Sequence, residues 1–423
     1  MKILVYPHHL GLGGSQLNAI ELAAAVKELG HEVLLFGQPG PLTRKAAGLG
    51  LEYVQAPVPG KRPSPRVVRA LATTVRERGI DVLHGYEWPP ALECLAAAKL
   101  VRGTTAVATV MSMAVAPFIP KSMPLMVGTE QIRAVEAMGG RTRVKLMEPP
   151  VDVAANSPTA DVDVAGFRSR WAPGEGMLNV VCVSRLAHEL KLEGLLAAMD
   201  AVEVLAREWP IRLLIIGSGP AEDVVRTRAA SVNRGTGRST VVLTGELTDP
   251  RPAYAAADVV LGMGGSALRG MSFAKPLVVQ GELGFWELLT EDSLPRFLWQ
   301  GWYGTGHGTA GQGSGALASL LARLLDDGAL RQHLGDLGRA LVEERFSLSA
   351  AARDQLRFYG EAFAGGAGTG TLGAEAAALA RYAAYVAGRR CQRLHGRAAA
   401  EDFNSRPVAS AASGSPVPEG AKP

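Results

Sequence analysis

The sequence predicts an α/β protein of two doubly wound, Rossmann-like domains that face a central cleft. Two patterns indicate this fold class. The chain opens with an apolar run, a glycine-rich turn and an Ala-rich helix, and its second half contains several apolar runs that each end in a short glycine or polar turn. The length of 423 residues suffices for two domains and a tail. We expect an N-terminal domain over residues 1–160, a second domain over 161–345, a closing helix over 346–365, and a basic helix with a disordered tail over 366–423.

The composition argues against several classes of protein. A formal net charge of +4 is too small to indicate a nucleic-acid partner. Cys94, Cys182 and Cys391 are odd in number and form no CxxC pattern, which disfavours a disulfide framework or a zinc site and fits a reducing cytoplasm. The N-terminus lacks the long apolar segment of a signal peptide, and no apolar run approaches the length of a membrane span. We therefore expect a cytoplasmic protein.

The N-terminal segment predicts a βαβ unit, with strands over residues 2–6 and 31–36 and a helix over 15–29. In the turn before the helix, Gly13 and Gly14 allow the backbone to approach a ligand, and Ser15 can cap a helix whose N-terminus favours a phosphate. The turn departs from GxGxxG and no acidic residue follows the second strand, which argues against a nicotinamide cofactor. Because the GxxxxGK[ST] motif of ATPases is also missing, we expect no cofactor.

The stretch NVVCVSRLAHELKLEG, residues 179–194, carries the strongest functional signal. Its apolar start predicts a buried strand and the sequence after it has helical periodicity, so Arg185 and Lys191 fall in the loop between the two. Such a loop lies at the carboxyl edge of the predicted sheet, where open α/β sheets bind ligands. A planar guanidinium and a compact ammonium together suit a diphosphate. The alternative is that both are solvated loop cations.

This stretch resembles the Arg-to-Lys loop of the retaining, nucleotide-sugar-dependent glycosyltransferases of family 4, which have the two-domain GT-B fold. The resemblance extends from Met1 to about Phe363. It implies that Arg185 and Lys191 contact the donor diphosphate and act in catalysis. It also implies that Gly13 and Gly14 lie near the donor phosphates and the reacting sugar. No metal site is implied, because this fold needs no DxD-type metal motif.

Three further turns of the second domain carry glycines where predicted strands end, after residues 216, 243 and 261. Because the carboxyl ends of parallel strands share one edge of a sheet, we expect these turns to line one site. The alternative for each glycine is a tight turn alone. The resemblance implies that the second turn borders the donor base and that the third offers backbone N–H groups to the diphosphate. The predicted donor-binding residues in these turns are Gly217, Gly219, Gly245, Glu246, Leu247, Gly264, Gly265 and Ser266.

The chain departs from the family pattern in its carboxylates. Family members carry two glutamates around the third turn, but Arg269 occupies the position of the second, and residues 258–269 leave too little room for the first. An arginine cannot accept hydrogen bonds from ribose hydroxyls as a carboxylate does. We expect Arg269 at the start of a helix, facing the donor as a third positive charge. The alternative is that it turns outward.

The resemblance also points to an acceptor side in the first domain. Residues 80–84 predict a strand, and the loop after it contains Tyr86, Glu87 and Trp88. Two aromatic rings around a carboxylate suit sugar stacking and hydroxyl binding, although Trp88 could equally pack in front of the two prolines that follow it. Met111 ends another predicted strand and stands where family members often have a histidine that points at the reacting sugar.

The C-terminal part predicts helices over residues 317–344 and 351–363, and the resemblance implies that the second crosses back onto the first domain. After a glycine-rich break over 365–370, residues 374–397 predict a basic helix that could lie on anionic lipid or an acidic partner. The alternative is an Ala-rich solvated appendage. Residues 404–423 are predicted to be disordered.

These patterns predict a diphosphate-binding site, and the resemblance implies a glycosyltransferase that moves a sugar, with retention, from a nucleoside-diphosphate sugar to a carbohydrate, lipid-linked or small-molecule acceptor. The basic helix would allow peripheral contact with the inner face of a membrane. Two alternatives remain at this point. One is a non-catalytic GT-B protein that binds a nucleotide or sugar, and the other is a nucleotide-sugar epimerase of the same architecture.

Overall fold

Two parallel β-sheets, each covered by helices on both faces, form the protein. The structure is a computed structural model and describes residues 1–172, 174, 176–308, 313–365, 372–395 and 403. The predicted fold class, two Rossmann-like domains, is confirmed by this arrangement. Residues 366–370 of the predicted glycine-rich break over 365–370, and the predicted disordered tail over 404–423, lie outside the described residues.

The first sheet belongs to the N-terminal part of the chain. Its strands are β1 (Lys2–Tyr6), β2 (Glu32–Gly37), β3 (Glu52–Gln55), β4 (Val82–Tyr86), β5 (Thr105–Val110), β6 (Leu125–Val127) and β7 (Val144–Leu146). The helices between them are α1 (Gly14–Glu28), α2 (Thr43–Gly48), α3 (Pro65–Arg78), α4 (Trp88–Leu100) and α5 (Glu130–Met138). The strand order is β3-β2-β1-β4-β5-β6-β7, and neighbouring strands pair in parallel.

The second sheet starts after the connecting helix α6 (Val164–Trp171). Its strands are β8 (Leu178–Val183), β9 (Ile211–Ile216), β10 (Val241–Gly245), β11 (Val259–Gly262), β12 (Leu277–Gln280) and β13 (Trp286–Leu288). Its helices are α7 (Leu192–Leu205), α8 (Glu222–Thr236), α9 (Arg251–Ala256), α10 (Gly265–Ser272) and α11 (Leu294–Gln300). The order is β10-β9-β8-β11-β12-β13, and β13 is antiparallel to β12 while the other pairs are parallel.

Strands with helices on both faces bury both sets of alternating side chains, which is why they are nearly continuous apolar runs. In β1, Leu4 packs into the core on one face of the sheet, and Ile3 and Val5 pack into the core on the other. In β8, Val180 and Val181 divide in the same way between the two cores of the second sheet. Each sheet is therefore the middle layer between two layers of helices. The loops at the ends of its strands remain available to form the site.

The region predicted as one helix over residues 317–344 is two helices, α12 (Ser314–Asp326) and α13 (Gly328–Arg345). Asp327 has an extended backbone, and its carboxylate accepts a hydrogen bond from the N–H of Leu330, which caps the start of α13. The break follows from this N-cap, so the single-helix prediction was wrong.

The closing helix α14 (Leu348–Ala364) packs on the first domain, as the resemblance implied. Its Tyr359 hydroxyl lies 2.6 Å from Nδ1 of the buried His84 in β4, and Gln355 donates to the same nitrogen at 3.0 Å. The chain leaves the first domain near Val151 and returns near Ser347, and these two residues form a β-bridge. The two crossings thus lie side by side between the sheets.

The last described helix, α15 (Leu372–Leu394), is not the solvated appendage considered for it. Tyr382 and Tyr385 pack against Trp88 and Phe118 of the first domain, with ring centroids 4.9 to 6.2 Å apart. The Arg381 Nε donates to the carbonyl of Pro117 at 2.7 Å. Other positions of α15 are exposed, among them Leu379 and Leu394. In the described part of the chain, no helix has the length and apolar character needed to cross a membrane.

Candidate functional site

The loops at the carboxyl edge of the second sheet are hydrogen-bonded into one surface. The N–H of Leu186 donates to the carbonyl of Ser218 at 2.9 Å, and the N–H of Gly217 donates to the carbonyl of Gly245 at 2.9 Å. Gly217 has a φ of 145°, and a Cβ there would lie 2.0 Å from the Ser184 carbonyl oxygen. Only glycine fits this position, because the two loops touch through their backbones. The structure thus brings together Gly217, Gly219, Gly245 and the loop that carries Arg185.

Lys191 lies between β8 and α7 and reaches the neighbouring loop. Its Nζ is 2.8 Å from Sδ of Met263, the residue just before the Gly264–Ser266 turn. Burial lowers the pKa of Lys191 to about 8, and the nearby Cys182 and Glu282 oppose this change. A lysine held in this way still carries its charge near neutral pH, and it is little solvated, which strengthens its attraction for an anion.

The turn after β11 supplies backbone donors beside this ammonium. Gly264 adopts a φ of 57°, which permits the sharp entry into α10. The hydroxyl of Ser266 accepts a hydrogen bond from the N–H of Met263 at 3.1 Å and fixes the turn. The N–H groups of the first turn of a helix lack intrahelical acceptors and favour an anion. Lys191 and the start of α10 therefore form one positively polarised corner.

Glu246 and Leu247, predicted to border the donor base, differ in position. Glu246 is exposed and accepts a hydrogen bond from the Ser218 hydroxyl at 2.9 Å, so it joins the loop after β9 to the loop after β10. Leu247 is half-buried against the apolar core beneath the sheet. Only the carboxylate of this pair faces solvent at the sheet edge.

Arg185 lies close enough to the first domain for its charge to act on a histidine there. Its charge, after burial and Arg62, lowers the pKa of His9, which follows β1. The ring of His9 accepts a hydrogen bond from the N–H of Gly11 at 3.0 Å and so shapes the glycine loop. In the same loop a Cβ on Gly14 would meet nothing within 4 Å, so the backbone there borders open space. Gly13 precedes α1 with an extended backbone, and Ser15 leaves the helix end uncapped by a side chain.

Arg269 lies in the last turn of α10 and not at its start as predicted, and its guanidinium is turned toward the first domain. Its Nη2 is 3.4 Å from Oε2 of Glu21 in α1, and Glu21 also pairs with Lys45 at 3.1 Å. The side chains of Arg269 and Glu21 are 16 % and 14 % exposed, so the pair is largely shielded from water. A carboxylate therefore already offsets the charge of Arg269. We predicted that Arg269 adds a third positive charge to the donor site. In the structure this charge is instead paired with Glu21.

The aromatic residues predicted on the acceptor side are packed, and they do not stack on a sugar in this structure. Tyr86 is 1 % exposed and its ring lies 4.4 Å from that of His84, centroid to centroid. The ring of Trp88 packs edge-on against Phe118 at 5.3 Å and against Tyr385 of α15. Trp88 therefore packs as the alternative described. The prediction that Tyr86 and Trp88 stack on a sugar was wrong for both rings in this structure.

Glu87 connects two segments of the first domain, the start of α1 and the loop after β5. Its carboxylate accepts hydrogen bonds from the Ser15 hydroxyl at 2.9 Å, the Ser112 hydroxyl at 2.7 Å and the Met111 N–H at 3.0 Å. Burial raises the pKa of Glu87, and these bonds oppose the change. Ser15 thus donates to Glu87 instead of capping α1. We conclude that Glu87 orients the first turn of α1 and the loop after β5.

Met111 lines a cavity of about 110 Å³ between the two domains. Met263 and Gly264 border it from the second domain, and Trp302 and Ile132 add apolar walls. The cavity therefore continues from the polarised corner at Lys191 toward the first domain. An apolar methionine here cannot hydrogen-bond a sugar as the family histidine would.

Sequence reasoning missed three residues of this site, Glu282, Tyr303 and His8. Glu282 follows β12 at the same sheet edge, and the Tyr303 hydroxyl donates to its Oε2 at 2.7 Å. His8 has a φ of 71°, and burial lowers its pKa to about 3. The position of Glu282 just after an apolar run, followed by Leu-Gly, was a usable signal. Within the described residues, no group of three or more His, Cys, Asp or Glu side chains is arranged to hold a metal ion.

Comparisons with known proteins agree with this geometry. Residues 13–131 match the family described as a glycosyl transferase 4-like domain, and residues 178–327 match glycosyl transferases group 1. A curated relative is the GDP-mannose-dependent monoacylated alpha-(1-6)-phosphatidylinositol monomannoside mannosyltransferase of Corynebacterium glutamicum. It is 27% identical over 333 residues, which are 71% of this chain and 81% of the relative.

Solved structures show the same fold. A glycosyltransferase from Rickettsia africae superposes with a TM-score of 0.68 at 14% identity, covering 85% of this chain and 98% of the other. The Anabaena protein HepE, in complex with UDP and glucose, superposes with a TM-score of 0.66 at 16% identity, covering 84% and 98%. Identities this low support the fold alone.

Proposed function

The chain belongs to the family 4 glycosyltransferases, nucleotide-sugar-dependent enzymes of the GT-B fold, and from this premise we propose that its cleft transfers a hexose with retention of configuration. One observation carries the assignment of the site. Lys191 lies against Met263 at the start of the turn that leads into α10, so a cation and backbone N–H groups converge at one sheet edge. This is the chemistry that a diphosphate needs.

The proposed mechanism follows from where charge develops. Breaking the bond between the sugar and the diphosphate leaves additional negative charge on the leaving phosphate. Lys191, Arg185 and the first N–H groups of α10 would stabilise that charge because they are already in place before the reaction. The glycine loop of the first domain would border the cleft from the other side, where the open space at Gly14 leaves room for the reacting sugar.

The relative from Corynebacterium glutamicum uses GDP-mannose and a lipid acceptor, and we propose a GDP-hexose donor and a lipid-linked acceptor as the first choice for this chain. Contact of α15 with a membrane surface is supported near the C-terminal end of the helix, where Leu394 is exposed beside the exposed Arg390 and Arg393. Carbohydrate and small-molecule acceptors are the alternatives.

The test is calorimetry with GDP, UDP and the corresponding nucleosides. Lys191→Ala and Arg185→Ala should each weaken binding of the diphosphates by about 1.5–3 kcal/mol, the cost of one lost charge-assisted contact. Both should leave binding of the nucleosides much less affected. Lys99→Ala is the matched control, because Lys99 is exposed and pairs with Glu375 on α15.

Unchanged diphosphate affinity in both site variants would refute the proposed donor site. Transfer itself is tested with radiolabelled GDP-mannose and an extract of membrane lipids, followed by analysis of the product linkage. A labelled lipid with the anomeric configuration of the donor is the expected product. An inverted linkage would refute the retaining mechanism.

A further inference from the structure

We propose that Glu282 is a positioning residue of the donor site, which holds the ammonium of Lys191 beside the diphosphate-binding turn. The inference rests on the proposed function, since it assigns a role to Lys191 in diphosphate binding. It adds a carboxylate from the loop after β12, whereas the carboxylates expected from the family pattern would lie around α10. Four observations support it.

The first observation is that the loop carrying Glu282 is attached to the backbone around Lys191. The N–H of Leu190 donates to Oε1 of Glu282 at 3.3 Å, and the Gln280 amide donates to the carbonyl of Lys191 at 3.2 Å. From the other side, the carboxylate of Glu193 accepts hydrogen bonds from the N–H groups of Leu283 at 3.1 Å and Gly284 at 2.7 Å. Four hydrogen bonds therefore join the two segments.

The second observation is the backbone conformation at Leu190. Its φ of 64° lies in the left-handed region, which is unfavourable for a residue with a branched side chain. Such a conformation persists only where its surroundings impose it. The hydrogen bond from its N–H to Glu282 is one contact that does so. This conformation sets the direction in which the next residue, Lys191, leaves the chain.

The third observation is that Glu282 is itself held in place. The Tyr303 hydroxyl donates to its Oε2 at 2.7 Å, its N–H donates to the carbonyl of Gly304 at 3.0 Å, and its carbonyl accepts from the N–H of Gly306 at 2.8 Å. A Cβ on the preceding Gly281 would lie 1.9 Å from the Gly304 carbonyl oxygen, so the two loops are in backbone contact. The carboxylate is thus a fixed charge.

The fourth observation is electrostatic. Burial lowers the pKa of Lys191 to about 8, and the groups that raise it are Cys182 from β8 and Glu282. Burial raises the pKa of the Cys182 thiol to about 12, so this group is neutral at physiological pH. Of the two groups that raise the pKa of Lys191, Glu282 is then the one that carries a charge. Without it, the ammonium would lose its proton at lower pH and would no longer attract a diphosphate.

The test is the pH dependence of GDP or UDP binding by the full chain and by Glu282→Gln, from pH 6 to pH 9. If the substitution lowers the pKa of Lys191 by about one, affinity relative to the wild type should fall about fivefold at pH 8. At pH 6 it should be unchanged or tighter, because a negative charge near the diphosphate is removed. Titration of the ligand itself cancels in this ratio.

Two controls separate charge from structure. Glu193→Gln alters the same pair of loops without removing Glu282, so its effect on affinity should be the same at every pH. In a Lys191→Arg background, Glu282→Gln should lose its pH-dependent component, because a guanidinium does not titrate in this range.

The outcomes distinguish the two proposals. If the wild type binds neither diphosphate, the proposed function fails. If the wild type binds and Glu282→Gln weakens binding equally at all pH values, or not at all, the proposed function stands and the role of Glu282 is refuted. A loss confined to the alkaline side that disappears in the Lys191→Arg background establishes Glu282 as the positioning residue.

Discussion

Replacing Tyr382 of α15 with alanine should destabilise the first domain, although this residue lies at the far end of the chain. The ring of Tyr382 lies 5.3 Å from Phe118 and 6.2 Å from Trp88, centroid to centroid. Its hydroxyl donates to the carbonyl of Arg62. Phe118 is 1 % exposed, so the tyrosine completes a core that the first domain builds around this ring.

The expected loss of unfolding free energy is about 3 kcal/mol. Half-burial of the ring contributes about 1 kcal/mol, which is half of what full burial provides. The edge-on contact with Phe118 adds about 1 kcal/mol. The hydrogen bond to Arg62 adds about 1 kcal/mol. Tyr382→Phe, which removes the hydroxyl alone, should therefore lose only about 1 kcal/mol.

Urea unfolding followed by tryptophan fluorescence measures these losses, with Leu379→Ala as the matched control on the same helix. Leu379 is 69% exposed, so its replacement should change stability by less than about 0.5 kcal/mol. If Tyr382→Ala unfolded at the same urea concentration as Leu379→Ala, α15 would contribute nothing to the first domain. Truncation before α15 should give a larger loss than the single substitution.

Three further outcomes are expected. Unfolding free energy should fall as pH drops below about 6.5, by up to about 1.4 kcal/mol per pH unit, because burial lowers the pKa of His84 to about 3 while the unfolded chain takes up the proton. Urea titrations of the wild type and His84→Gln between pH 7 and pH 5 isolate the contribution of His84 to the unfolding free energy. If the unfolding free energies of the two proteins fell equally with pH, His84 would not be the cause. Gly217→Ala should lower stability by more than about 2 kcal/mol in thermal or urea unfolding, whereas Gly14→Ala, with open space around its Cβ, should not. Arg269→Glu should open the cleft, because it places a second carboxylate against Glu21, and adding Glu21→Arg should close it again. Distances between labels on the two domains measure this opening. A double variant that stays open would show that the ion pair does not hold the two domains together.

Much of the fold could be predicted because a buried parallel strand is a short, continuous apolar segment that can be recognised without knowing the rest of the chain. The runs over residues 105–110 and 211–216 coincide with β5 and β9, since both faces of each strand are covered and every side chain is buried. The helix ends were less predictable, because a cap such as Asp327 is one residue in an otherwise helical pattern. The bounds proposed for the domains remain predictions.

The partner of α15 could not be predicted from its own residues. Tyr382 and Tyr385 are three positions apart, which places them on one face of a helix. That spacing indicates a buried face but does not say what covers it. Trp88 shows the same limit from the other side, because a ring beside a strand end suits a sugar as well as a packed helix. Only the contact between these distant segments decides both cases.

The carboxylates of the site illustrate the limit most clearly. The sequence indicates that Arg269 replaces a glutamate, and from one domain alone this leaves the donor side without an acidic group. The fold places Glu21 of the first domain against that arginine, and Glu282 beside the segment that carries Lys191. Glu21 therefore offsets the charge of Arg269, and Glu282 holds the segment of Lys191. Neither carboxylate lies at a position where the family pattern has a glutamate. Because Glu21 reaches Arg269 only when the domains are together, the charge at this point of the donor domain depends on closure. The proposed function depends on Arg185 and Lys191 as the cations that attract the diphosphate.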